Sequence, residues 1–78
     1  MRPEIAPGAR VRLTTPLAWF RVNADLALDC DTGTIERKDV WADYWIVRLD
    51  KPAIDLDCTA LTYVPEIRED ADNLELIE

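Results

Sequence analysis

Apolar and polar residues alternate with a period of two along most of this chain, the pattern of strands that bury one face. After the turn residues Pro7 and Gly8, Val11 and Leu13 alternate with Arg10 and Arg12. Leu26, Leu28 and Cys30 alternate with Asp25, Ala27 and Asp29, and Thr34-Ile35-Glu36-Arg37 follows Gly33. The clearest strand is Tyr44 to Asp50, in which Trp45, Val47 and Leu49 share a face. Cys58 to Val64 predicts another, stopped by Pro65. The acidic stretch EIREDADN reads as a short helical turn, and LELIE as a closing strand. Between these segments KDVWAD reads as a turn, and the stretch after Leu13 as a long loop.

Pro3, Pro7, Pro16, Pro52 and Pro65 fall at the predicted element edges, where a missing N–H does least harm. The best candidate for an amphipathic helix, DADNLELIE, is short. Several short strands separated by turn signals predict an all-β barrel or roll. With 78 residues the chain is expected to form one domain over 1–78, with the ordered barrel at about 7–77. It has no window of about 18 consecutive apolar residues. MRPEIAPGAR lacks the apolar centre of a signal peptide, so the expected location is cytoplasmic.

The order PGARVRL, long loop, TGTIER, short turn, YWIVRLD and terminal NLELI resembles the Src-homology-3-like small β-barrels. Among them it is most similar to the KOW-type and bacterial regulatory barrels. The resemblance implies a five-stranded barrel with a short helical turn before the last strand. It also implies a groove where the first long loop meets the hairpin turn between the central strands. Unlike the KOW pattern, the chain carries a long acidic-aromatic insert between Gly8 and Gly33, and few basic residues.

Charge narrows the function. Nine basic residues stand against sixteen acidic ones, a net charge of −7. Nucleic-acid binders draw affinity from cations that neutralise phosphates, and adsorption to anionic lipid needs the same, so neither partner is expected. The charge is also polarised. Residues 1–22 hold Arg2, Arg10, Arg12 and Arg21 against Glu4, whereas Glu66, Glu69, Asp70, Asp72, Glu75 and Glu78 crowd the end against Arg68. Cross-strand attraction then predicts that the strand Arg10–Leu13 pairs with Leu74–Ile77, with Arg12 opposite Glu75.

Chemical motifs are sparse. Asp31-Thr32-Gly33-Thr34 resembles the active-site tetrapeptide of aspartic proteases, but those enzymes need a second aspartate sharing a proton and a glycine-containing segment behind the loop. Only Gly8 and Gly33 are present. Asp29-Cys30-Asp31 fits neither a phosphatase site, which requires a full α/β domain, nor a calcium loop, whose sixth and twelfth places would be Thr34 and Val40. The expected role of DTGT is a hairpin corner, with Asp31 bonded to its own backbone and Gly33 at positive φ. No histidine and no serine occur, which removes Ser-His and Cys-His dyads. Cys30 and Cys58 are expected to be inward-facing free thiols. No cofactor or metal is implied.

Aromatic residues remain. Trp19, Phe20, Trp41 and Tyr44, interleaved with Asp25, Asp39 and Asp43, form the expected partner-binding face. Aromatic floors supply contact area and acidic rims select cations. The expectation is a non-enzymatic interaction or regulatory module that binds a basic protein or peptide segment. The alternatives are an accessory subunit or docking domain of a larger enzyme, for example an oxidoreductase, and an acidic mimic of nucleic acid.

Overall fold

Strand β1, Arg10–Leu13, buries Val11 and Leu13 and leaves its arginines outward, as the alternation predicts. It opens from a turn at Gly8, whose φ of 91° suits glycine and whose N–H donates to the Ile35 carbonyl at 2.8 Å. In a computed structural model that describes residues 5–77, there follow helix α1 (Leu17–Asn23), β2 (Leu26–Ala27), β3 (Thr32–Lys38), β4 (Tyr44–Asp55) and β5 (Tyr63–Asp70). A 3₁₀ turn, Ala71–Asn73, leads into β6 (Leu74–Ile77).

The strands form one antiparallel sheet of six, in the order β2-β4-β3-β1-β6, with β5 on the other flank of β4. The five-stranded barrel is therefore corrected. The sheet is not closed, because among the described residues β5 and β6 form no ladder with each other. The all-β class is present, and so is a short helical turn before the last strand, but it is confined to Ala71–Asn73; Glu66–Asp70, expected in that turn, belong to β5. The predicted β1–β6 pairing is present too, with Arg12 directly across from Glu75.

Further expectations change. The loop after Leu13 contains α1, a helix of seven residues that follows Pro16 and buries only Phe20. Helices this short are marginal alone, so Phe20 packing into the core is what holds it. The strand expected over Leu26–Cys30 shrinks to Leu26–Ala27, paired with the far end of β4. Pro65 does not stop β5. The β4–β5 ladder shifts register between Arg48 and Ala53, and Pro65 and Pro52 both sit in that irregular stretch, where no ladder N–H is required of them.

The core is one cluster: Val11, Leu13, Phe20, Ile35, Val47, Leu49, Ala53, Ile67 and Leu74. Fully burying an Ile or Val of this kind contributes about 1.5–3 kcal/mol. Gly33 does not sit at a hairpin corner. It lies buried within β3, opposite Leu49, where an added Cβ would meet the Arg48 carbonyl oxygen and come within 2.8 Å of Val47 Cγ1. Close approach of β3 to β4, not positive φ, demands glycine here. Both cysteines are free, but only Cys30 is partly buried; Cys58 is exposed, next to the Asp55 carboxylate.

Candidate functional site

Helix α1 and the β5–β6 corner together build an aromatic concavity. Trp19 and Phe20 meet edge to face, with ring centroids 5.3 Å apart at 83°. Phe20 is buried in the core, while Trp19 stays 49% exposed above it. Tyr44, the first residue of β4, is paired across the ladder with Asp70, and its neighbour Trp45 with Glu69. Trp19, Tyr44, Glu69 and Asp70 line one open cavity of about 330 Å³, with Phe20 at its base.

Acidic groups at this corner differ in their surroundings. Glu69 points to the side of its neighbour Ile67 and is only 8% exposed. Its Oε1 accepts hydrogen bonds from the Asp70 N–H and from Asn73 Nδ2, both at 3.1 Å. Asp70 caps the 3₁₀ turn, its Oδ1 accepting from the Asp72 N–H at 3.0 Å. Neither carboxylate forms an ion pair among the described residues.

The β3–β4 turn carries Trp41. Asp39 shapes this turn: its Oδ1 accepts the Trp41 N–H at 2.9 Å and its Oδ2 pairs with Arg68 Nε at 3.0 Å. The Asp39 side chain is nearly buried by these contacts, so it is a structural anchor and not a free rim acid. Trp41 itself is 92% exposed and Val40 almost as much. Asp43 is fully solvated, 3.7 Å from Lys38 Nζ. Arg68 borders both the Trp41 concavity and the Trp19–Tyr44 cavity, which makes the two neighbours.

Of the expected face, Trp19 and Tyr44 share a cavity, and Trp41 and Asp43 lie on the adjoining turn. Phe20 serves as buried support. Asp25 belongs elsewhere: it sits at φ 53° in the turn after α1, where its carbonyl accepts the Leu56 N–H at 2.8 Å. Glu69, Asp70 and Asn73 were not expected at the face, because their stretch reads as an exposed acidic turn. Only the Tyr44–Asp70 ladder partnership brings them there.

Two other charge clusters are structural. Arg10 of β1 grips Asp50 of β4 with two bonds, 2.6 and 2.7 Å, and Thr32 of β3 donates to the same carboxylate at 2.6 Å. The Arg10 guanidinium and then the Thr32 hydroxyl hold the Asp50 carboxyl down at about 2. A second cluster forms where Glu36, at the bulge of β3, meets Arg37, Arg48 and Glu66. The hydrogen bond to Glu36, and then desolvation, push the Glu66 carboxyl above its ordinary value. Among the described residues no three His, Cys, Asp or Glu side chains are placed to hold a metal ion, and no helix is long and apolar enough to cross a membrane. Compared with protein-family models, with curated proteins and with solved structures, the chain shows no significant match.

Proposed function

We propose that this chain is a non-enzymatic, cytoplasmic interaction module that binds a basic protein or peptide segment. The binding face runs from the Trp19–Tyr44 cavity over Arg68 to Trp41 and Asp43. The carrying observation is that Trp19, Trp41 and Tyr44 all remain substantially exposed on adjoining concavities of a chain with net charge −7. A small domain gains by burying such rings, and clustered exposed aromatics mark interaction sites. The order of β1 and β3–β6, with a helical turn before the last strand, supports a kinship with the Src-homology-3-like domains and their regulatory members.

The test is a fluorescence titration of arginine- and proline-containing peptides against the wild type and two variants. Trp19→Ala and Trp41→Ala should each weaken binding about tenfold or more while circular dichroism stays unchanged. Added salt should weaken it further, since an acidic rim acts through screened charge. Binding that survives both substitutions would remove the face from the molecule's function.

A further inference from the structure

We infer that the Trp19–Tyr44 cavity is a subsite for a single arginine side chain, with Glu69 as the residue that selects its charge. This rests on the reading above and deepens it. A carboxylate taken out of water is costly unless it is paired or fully hydrogen-bonded. Glu69 is more than nine-tenths buried, yet among the described residues it has no cationic partner and both of its hydrogen bonds fall on Oε1. Its second oxygen, Oε2, is the acceptor left for a ligand, and the residue lines the cavity.

The cavity walls fit the same occupant. Trp19 and Tyr44 offer aromatic surface on which a planar guanidinium can stack while it donates to a carboxylate, a combination an ammonium does not match. Asp70 adds a second carboxylate at the rim, with only Oδ1 engaged by its capping bond. Arg68 is the one cation on the lining, and its charge is turned toward Asp39 at 3.0 Å. The lining therefore carries two acids whose charge is not neutralised locally. Its volume, about 330 Å³, lies at the low end of the roughly 300–1,000 Å³ of small-ligand sites, enough for one side chain rather than a folded element. Asn73 Nδ2 and the Asp70 N–H both hold the carboxylate through Oε1, which fixes its rotamer and leaves Oε2 without a protein donor among the described residues.

The experiment is a chemical-shift titration of the isotope-labelled full chain with a glycine-flanked peptide holding one arginine. The same peptide with citrulline, the neutral isostere, serves as comparison. The arginine peptide should move the Trp19 indole N–H resonance saturably, and the citrulline peptide should bind about tenfold or more weakly. Glu69→Gln keeps an oxygen for Asn73 and the Asp70 N–H, so it should fold; it should lose about tenfold or more of the arginine affinity. Asp70→Ala, at the rim, should lose less. If the arginine peptide binds with full strength to Glu69→Gln but citrulline and salt still weaken it, the cation is read elsewhere and this subsite falls while the basic-segment function stands. If no basic peptide shifts any resonance of the wild type, the proposed function falls with it. Equal loss of affinity for arginine and citrulline peptides on Glu69→Gln would show a merely structural glutamate and overturn the assignment.

Discussion

Arg12 stands directly across from Glu75 in the β1–β6 ladder, yet its guanidinium turns to Asp31, with Nε 3.7 Å from Oδ2. Register here follows from Val11 and Leu13 pointing inward on one strand and Leu74 on the other, since a slip of β6 by one residue would turn Leu74 out to solvent. The charges only accompany it. Arg12 and Asp31 are both about half exposed, and such pairs contribute about 0.2–1 kcal/mol. A double-mutant cycle between Arg12→Ala and Glu75→Ala should therefore give a coupling within about 0.3 kcal/mol of zero. The Arg12–Asp31 cycle should give the larger value, measured by urea denaturation.

Asp31→Asn should cost little, because the ion pair is exposed and the Asp31 carbonyl that accepts the Leu13 N–H is unaffected. Gly33→Val should be far worse. Its side chain would enter the space between the Arg48 carbonyl and Val47, where overpacking costs about 1–3 kcal/mol or more. Even Gly33→Ala should lower the denaturation midpoint clearly, because its Cβ alone would meet the Arg48 carbonyl oxygen and Val47 Cγ1. A wild-type midpoint for Gly33→Ala would refute the close-approach explanation.

Acid should act through Asp50. Its carboxyl titrates at about 2 in the folded chain against an ordinary 3.8, mainly because Arg10 and Thr32 bond the ionised form. A depressed acid contributes stability above its unfolded value and loses it as pH falls through the folded one. The midpoint difference between wild type and Asp50→Asn should thus be constant above about pH 4 and shrink between about pH 4 and pH 2. A difference that persists unchanged to pH 2 would mean the triad contributes by geometry and not by charge.

Glu66 should behave in the opposite sense. Its carboxyl is raised by the hydrogen bond to Glu36 and by desolvation, so its protonated form is the one the fold favours. That contribution is present in acid and is lost as pH rises through the folded value. Glu66→Gln retains a donor toward Glu36 without the charge. At neutral pH its thermal midpoint should equal or exceed that of wild type, and the advantage should vanish as pH falls through the carboxylate range. A large loss of stability at neutral pH would instead show that the Arg37 contact at 3.6 Å dominates.

Period-two alternation determined the strands at Arg10–Leu13, around Gly33 to Lys38, at Tyr44 onward and at the C-terminal LELI, because each buries one face against a shared core. Opposite charge at the two ends accompanied the correct β1–β6 register. What alternation could not show is where a strand ends when its irregularity is accommodated by a partner. Pro65 and Pro52 look like stops in one dimension, but within a register shift they interrupt no ladder bond. The seven residues of α1 lack the repeat that would announce a helix, and its existence depends on Phe20 finding the core. The exposure of Trp19, Trp41 and Tyr44 was legible as an excess of large rings in a small chain. Glu69 was not, since a glutamate in an acidic run looks solvated until the β4–β5 ladder sets it opposite Trp45 and the turn residue Asn73 hydrogen-bonds its carboxylate. Tertiary structure alone decided that Glu69 is buried beside the aromatic cavity.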